Sequence, residues 1–344
     1  MLSTEDAAGN HVRLCIHPEA STGLPSFHTS ANVLKTFEPF TMAPVMVVRI
    51  DEERYNLHGA FALKVFDRRY SDDLRQHVKM RPWTETSDCE FRKFMLTPDG
   101  EKLHRECDAY LVCDLPEYAE DNNNDSEEPS DDDWKAREEE GWIYTQSQKM
   151  YRNEVTVYRR MHDYQGTGNP RLIATVSMSK SNSSSHLQPD HTDIATTPAI
   201  LLQYLPGFPL SDLYNHPTSR NVPREEWQHL IDSTLVTINT MGKRGILNTD
   251  TSTRNTVVHL DSIEGVWKAK IIDFGHCQFR DAGTSTRDWR DKRSRYDEED
   301  EIGGDVRCSL GKKKGGGYVY VRSMGRNWIG ILRWSEGRYE WVIS

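Results

Sequence analysis

The sequence lacks the long apolar run that a membrane-spanning helix needs. In its 344 residues, no stretch approaches the roughly 18 consecutive apolar side chains of such a helix. The opening ten residues, MLSTEDAAGN, have neither the basic start nor the apolar centre of a secretory signal. We therefore expect a cytoplasmic or nuclear protein with no membrane partner.

Paired cysteines and basic stripes are also absent. The six cysteines include no Cys-x-x-Cys pair, so we expect reduced thiols rather than disulfides or a zinc site. No helical pattern combines a basic face with interleaved aromatic residues, and we expect no nucleic-acid partner. His186 and His191 lie in a Ser/Asn/Asp-rich stretch without further ligands nearby, which favours a surface loop over a metal site.

Negative charge is concentrated in one segment. The formal net charge is −10, and residues 117–140 hold twelve acidic side chains against Lys135 and Arg137. This segment alone accounts for the net charge and is too polar to bury a core, so we predict a disordered insertion. Ser126 and Ser130 directly precede acidic runs, which leaves a regulatory role open as the alternative to a simple spacer.

The first 205 residues read as a sheet crossed by one helix. Residues 45–50 and 60–66 are rich in β-formers and are separated by a polar stretch, which predicts a hairpin. The spacing of apolar residues predicts a helix over 142–164. Residues 171–178 and 199–204 are predicted to be further strands.

After the Pro-Gly pair at residue 206 the pattern changes from strand to helix. Residues 223–243 carry apolar side chains at helical spacing, with Pro223 at a plausible first helical position. Two short strands, 256–260 and 269–272, follow and predict a hairpin whose flanking loops lie at one end.

The loops around this second hairpin resemble those of protein kinases. LNTDTSTRN matches the D-x-x-x-x-N catalytic loop with Asp250 and Asn255, and IIDFG matches the metal-binding tripeptide with Asp273. Upstream, AFALK resembles the lysine strand and gives Lys64, while NEVTVYRRM resembles the helix whose glutamate pairs with that lysine, giving Glu154. Four motifs occur in the family's order.

Whole phrases, including RPWTETSDCEF, LLQYLPGFPLSDL and GILNTDTSTRN, look like the fungal kinase-like proteins. That resemblance implies a two-lobed α+β fold, with a small antiparallel-sheet lobe over residues 1–205 and a shortened, mainly helical lobe over 206–344. It also implies that the hinge phrase LLQYLPG brings Gln203 and Leu205 beside a bound nucleotide.

The resemblance implies ATP and Mg²⁺ as cofactors. Lys64, oriented by Glu154, would hold the α- and β-phosphates. Asp273 and Asn255 would bind magnesium, which favours oxygen ligands shared with substrate phosphates. Asp250 would accept or orient the substrate hydroxyl, on a protein or a small molecule.

Several departures from the kinase pattern keep other functions open. No G-x-G-x-x-G precedes Lys64, and Asn248-Thr249 replaces the usual His-Arg. One cation that kinases place near the transferred phosphate is missing, and Arg254 or Lys243 would have to replace it. Three classes therefore remain: an atypical phosphotransferase, a pseudokinase that binds nucleotide or a partner without turnover, and a purely structural interaction domain.

The C-terminal part also departs from the pattern. Only 69 residues follow Gly275, and they contain no Ala-Pro-Glu motif. The charged stretch RDWRDKRSRYDEEDE stands where further helices would be needed, which predicts that the peptide-docking platform is absent. Beyond about residue 318 the composition is strand-like, and whether this segment belongs to the fold is left open.

Overall fold

A computed structural model describes residues 11–38, 40, 42–108, 136–179, 194, 196–311, 330–335 and 338–343. The chain forms two compact units. The first comprises Met1–Val155 and Leu172–Tyr204, and the second comprises Thr156–Arg171 and Leu205–Ser344. Residues 156–171, which the sequence placed in the first lobe, therefore belong to the second unit.

The first unit is built on a closed antiparallel barrel. Its six strands are β1 (His11–Pro18), β2 (Phe27–Phe37), β3 (Val45–Glu52), β4 (Leu57–Val65), β5 (Leu172–Ser179) and β6 (Thr196–Gln203). The order around the barrel is β1-β2-β3-β4-β6-β5, and β5 closes it by pairing with β1. The predicted β3–β4 hairpin and the strands β5 and β6 are confirmed, whereas β1, β2 and the closure were not predicted.

The barrel interior is filled by alternate residues of each strand. On β4, Leu63 and Val65 are buried in a core shared with Met46, Val48 and Ile50 of β3. Successive side chains of a strand point to opposite faces, so the residue between Leu63 and Val65 faces outward from the barrel. That residue is Lys64.

Four helices complete the described part of the first unit: α1 (Asp72–His77), α2 (Glu85–Met95), α3 (Pro98–Asp108) and α4 (Ala136–Arg160), whose last turn passes into the second unit. The predicted start of α4 at residue 142 was wrong by six residues. Glu139 and Glu140, assigned to a disordered insertion, are helical and buried because arginine side chains meet them. Residues 117–135, including Ser126 and Ser130, and the pair His186 and His191 lie outside the described residues.

In its described residues, the second unit combines three helices with short strands. Its helices are α5 (Glu226–Lys243), α6 (Thr286–Tyr296) and α7 (Glu298–Gly311), and its strands are β7 (Gly207–Pro209), β8 (Ile246–Asn248), β9 (Thr256–Leu260), β10 (Trp267–Ile271), β11 (Cys277–Phe279), β12 (Gly330–Ser335) and β13 (Arg338–Ile343). The sheet order is β10-β9-β7, with β11 paired to β8 and β12 to β13. Both the first part and the second part of the chain therefore mix α and β structure, with the sheet dominating the first.

Helix α5 buries the apolar stripe that its sequence predicts, including Leu230, Ile231 and Ile238. The helix begins at Glu226, so Pro223 precedes it rather than opening it. It ends before Gly245, whose φ of 71° is the left-handed conformation that closes a helix most easily with glycine. The predicted β9–β10 hairpin is confirmed.

The charged stretch after residue 285 is helical, contrary to the sequence interpretation. Ser285 caps α6 by accepting a hydrogen bond from the Asp288 amide at 3.1 Å. Trp289 on α6 and Ile302 on α7 are buried, so each helix anchors an apolar side chain in the core despite its charge. None of the helices that the structure describes is long and apolar enough to cross a membrane. The cysteines with described side chains, Cys15, Cys89, Cys107 and Cys277, are free thiols.

Candidate functional site

Lys64 and Glu154 form a buried ion pair in the first unit. Lys64 Nζ donates to Glu154 Oε2 at 2.8 Å. The side chains are only 9% and 1% exposed. Burying two charges costs several kcal/mol of desolvation that their attraction only partly repays, so such a pair is weak evidence of a purely stabilising role. A strand lysine fixed by a helix carboxylate could neutralise a phosphate if one were bound.

Aromatic residues support this pair from both elements. The Lys64 ammonium lies 5.5 Å from the ring centre of Phe66, two residues further along the chain. Phe66 in turn meets Tyr151 of α4 edge to face, with ring centres 5.5 Å apart. Tyr151 and Glu154 are three residues apart, and residues at that spacing lie on one helix face. One face of α4 therefore packs on the end of β4 that carries the lysine.

The connection between β2 and β3 lies beside Lys64. Val45 pairs with Lys64 in the sheet, and the Val65 amide donates to the Pro44 carbonyl at 2.9 Å. Ser71 Oγ also donates to the Met42 carbonyl at 3.0 Å. The sequence of this connection, EPFTMAP at 38–44, contains two prolines and no glycine. Close approach of backbone amides to a phosphate usually relies on glycine, so this loop lacks the feature that covers ATP in kinases.

The two predicted hinge residues fall in different units. Gln203 is the last residue of β6, where it pairs with Phe61 of β4, and it is half-buried. Leu205 is also half-buried, and it begins the second segment of the second unit, Leu205–Ser344. Their role in nucleotide binding stays a prediction.

In the second unit the structure brings Asp250 and Asn255 together. Asn255 Nδ2 donates to Asp250 Oδ2 at 3.0 Å and to the Asp250 carbonyl at 2.9 Å. Arg254 Nη2 donates to the other carboxylate oxygen, Oδ1, at 3.1 Å. The Asp250 carboxylate is thus held in one orientation by residues four and five positions later, which suits a group that must align a hydroxyl.

Asp273 lies next to this loop in a strained backbone conformation. The amide of Ile272 donates to the Asn255 carbonyl at 2.8 Å, which fastens the two loops at one end of the β9–β10 hairpin. Asp273 has a φ of 64°, and non-glycine residues held there are concentrated at functional sites. Gly275 N donates to Asp273 Oδ1 at 3.4 Å. A carboxylate and an amide oxygen are ligands that magnesium accepts together with phosphate oxygens.

The sequence did not predict which side chains hold these loops in place. Asn248, counted as a departure from the family pattern, accepts from the Asp250 amide at 3.0 Å and donates through Nδ2 to the Asp273 carbonyl at 3.4 Å. Its own amide donates to Glu298 Oε1 of α7 at 3.0 Å. Asp305, two turns further along α7, accepts from the Thr253 hydroxyl. Both ends of the 248–255 loop are therefore attached to one helix.

Glu298 is an unusual anchor because it is buried. Burial raises the pKa of Glu298 from its usual 4.5 to about 7, and the nearby Arg293 guanidinium and the Asn248 amide only partly oppose that effect. Arg293 Nε and Nη2 each lie 3.1 Å from Glu298 Oε2. Nothing in the acidic run EEDE distinguishes Glu298 by sequence, since its partner Asn248 lies 50 residues earlier.

The described residues contain no cluster of three or more His, Cys, Asp or Glu side chains that could hold a metal by themselves. A metal at Asp273 and Asn255 would therefore need further ligands from phosphate or water, as magnesium in nucleotide sites commonly does.

Comparison with known proteins assigns no family. No protein-family model matches the sequence, and no curated protein matches it significantly. Among solved structures, the chain aligns with a protein described as WaaP in complex with acyl carrier protein, at 14% sequence identity and a TM-score of 0.35. That alignment covers 80% of this chain and 76% of the other. At such a score the likeness carries no argument about activity.

Proposed function

We propose that this chain is a divergent kinase-like protein that binds ATP with Mg²⁺ and transfers a phosphoryl group to a hydroxyl of a protein or a small molecule. The observation that carries the proposal is the buried Lys64–Glu154 pair. Burying these two charges is costly, and orienting a lysine towards phosphate is the use that kinases make of such a pair.

The other residues take roles that fit their local geometry. Asp273 and Asn255 would supply oxygen ligands to magnesium. Asp250, held by Asn255 and Arg254, would accept or align the attacking hydroxyl. Gln203 and Leu205 would contact the base of the nucleotide. Phosphoryl transfer needs positioning and charge neutralisation more than covalent chemistry, and these side chains match the roles of phosphate ligand, metal ligand and base that it uses.

A catalytically inactive pseudokinase is the alternative that a specific observation favours. The β2–β3 connection beside Lys64 is pinned at Met42 and Pro44 and has no glycine. Its backbone cannot readily fold over a triphosphate, which would leave the γ-phosphate poorly held. In that case the chain would bind nucleotide or a protein partner without turnover.

Thermal unfolding in the presence of ATP tests nucleotide binding directly. A ligand that binds only the folded state raises the melting temperature, so ATP with Mg²⁺ should stabilise the protein more than ATP with EDTA. Asp273→Asn should remove the magnesium-dependent part of the shift. Asp281→Asn, which changes an exposed carboxylate in the same unit, should leave it intact. No magnesium-dependent shift of the wild type at millimolar ATP would overturn the proposal.

A further inference from the structure

The N-terminal part of α4 carries a second buried carboxylate that is held by two arginines. Glu140 is 2% exposed. Arg75 Nη1 lies 2.7 Å from Glu140 Oε1, and Arg75 Nη2 donates to Oε2 at 3.0 Å. Arg68 Nη1 donates to the same carboxylate. Both guanidinium groups are as deeply buried as the carboxylate, so none of the three charges is compensated by bulk water.

The arginines connect four elements of the first unit. Arg68 lies in the turn that follows β4, donates to Asp88 of α2, and stacks 3.9 Å from the ring centre of Phe91. Arg75 of α1 also donates to the Arg68 carbonyl at 3.1 Å. Asp88 also accepts a hydrogen bond from Arg92 Nε at 2.8 Å, so each carboxylate of this cluster is held by two arginines. The cluster of Arg68, Arg75, Asp88 and Glu140 thus ties the end of β4 to α1, α2 and α4.

The cluster and the Lys64–Glu154 pair join the same two segments. Lys64 and Arg68 are four residues apart at the end of β4, and their partners Glu154 and Glu140 both lie on α4. The two glutamates are separated by about four helical turns, or about 21 Å along the helix axis. A shift of α4 by a single turn, about 5.4 Å, would break both contacts. A helix held at two distant points cannot slide or rotate freely.

We propose that Arg68, Arg75 and Glu140 are positioning residues: they fix the axial position of α4 and thereby keep the Glu154 carboxylate on Lys64. The inference rests on the proposed function only because that function gives the Lys64–Glu154 pair a role in binding phosphate. The geometry itself does not depend on ATP. Loss of the Glu140 charge should therefore expose Lys64 although the two residues do not touch.

Chemical labelling of Lys64 in the full chain measures how accessible its amine is. Acetic anhydride acylates neutral, accessible amines, and the extent at each lysine is read by peptide mass spectrometry after a short pulse well below the melting temperature. Glu154→Gln removes the partner of Lys64 and should raise its labelling several-fold. Glu140→Gln should raise it by a comparable factor. Lys102, which is exposed on α3, serves as the internal standard and should not change.

Glu139→Gln is the matched control. Glu139 is the neighbouring glutamate of the same helix, but it meets the largely exposed Arg81 instead of the cluster. Its substitution should leave Lys64 labelling within twofold of wild type. If Glu140→Gln does not fold, Arg75→Lys takes its place, because lysine keeps the charge and loses the two-pronged contact with Glu140. Arg75→Lys should give intermediate labelling.

Wild-type labelling of Lys64 in a folded Glu140→Gln or Arg75→Lys variant would overturn the inference, as would a Glu154→Gln variant in which Lys64 stays protected. No nucleotide enters the measurement. A protein that fails to bind ATP would therefore refute the proposed function and leave the labelling result standing.

Discussion

Three of the buried glutamates, Glu140, Glu154 and Glu298, each lie against a cation, as buried carboxylates must if they stay ionised. The first two face cations that are nearly as buried as they are. Glu298 instead faces Arg293, which is partly exposed to water. A partner screened by water offsets less of the cost of burial, which agrees with the raised pKa of Glu298.

This difference makes Glu298 a source of pH-dependent stability. Its pKa rises from 4.5 to about 7 on folding. The folded state therefore holds the proton more tightly than the unfolded state, and the resulting stabilisation is complete below pH 4.5 and is lost as the pH rises through 7. We expect the free energy of unfolding to fall by roughly 3 kcal/mol across that window through this group. Glu298→Gln should flatten the curve between pH 5 and 8.

Denaturant unfolding at a series of pH values measures the effect. Glu301→Gln is the control, because Glu301 is an exposed glutamate on the same helix and lies outside the Glu298 contacts. It should keep the wild-type slope. A Glu298→Gln variant that also keeps that slope would show that Glu298 does not titrate in this range.

Helix α4 illustrates how an element can be found by sequence and still be misplaced. Its apolar spacing after Trp142 is clear, but its first turns read as part of an acidic, like-charged run. Those turns are helical because Glu139 and Glu140 meet Arg81 and Arg75, which lie 58 and 65 residues earlier in the chain. Charge composition carries no information about such distant partners, so the end of the acidic segment could not be located from sequence.

Two deletions separate the acidic spacer from the helix. Removing residues 119–133 should change the melting temperature by less than about 2 °C, because a segment of this composition contributes no core. Removing 119–140 also removes Glu140, which leaves Arg75 buried without its carboxylate and Arg68 with Asp88 alone. Breaking a buried pair costs about 3–5 kcal/mol, so the longer deletion should be strongly destabilised.

Differential scanning calorimetry of both deletion variants measures their melting temperatures and tests these two expectations. A large loss of stability in the shorter deletion would mean that residues 119–133 pack on the fold. Equal stability of the two deletions would mean that Glu140 contributes nothing, in conflict with its burial.

In the strands, too, some features follow from the local sequence and others depend on residues far apart in the chain. Runs of β-formers predicted β3 to β6, and alternating Val12, Leu14 and Ile16 are a signal that could have revealed β1. Barrel closure could not be predicted in this way. It depends on pairing between β1 and β5, which are about 160 residues apart, and no local pattern specifies that pairing.

For the molecule as a whole, the candidate chemistry is divided between the two units. The first holds Lys64 and Glu154, and the second holds Asp250, Asn255 and Asp273. Motif resemblance selected all five as candidate residues, because D-x-x-x-x-N and a strand running into Asp-Phe-Gly are local patterns, and their role stays a prediction. Their supports, such as Glu298 on α7, depend on tertiary contacts and were missed.

Asp250→Ala should abolish phosphoryl transfer and leave ATP binding largely unchanged. Asp250 is assigned to the attacking hydroxyl, whereas Asp273 and Asn255 are assigned to the metal. Loss of a positioned general base costs about a hundredfold in rate or more, without a comparable loss of ground-state binding. Lys64→Ala should instead weaken both properties, because the lysine contacts the phosphates in the ground state and during transfer.

Release of radiolabelled phosphate from ATP measures turnover, and the nucleotide-dependent rise in melting temperature measures binding on the same samples. Asp281→Ala is the control for removing a carboxylate from the second unit and should retain both properties. Asp250 also accepts hydrogen bonds from Asn255 and Arg254, so each variant is compared at its own fraction folded. Equal phosphate release by wild type and Asp250→Ala, with nucleotide binding preserved in both, would exclude Asp250 as a catalytic residue. The inactive pseudokinase would then be the better description, since the glycine-free loop beside Lys64 already argues against rapid turnover.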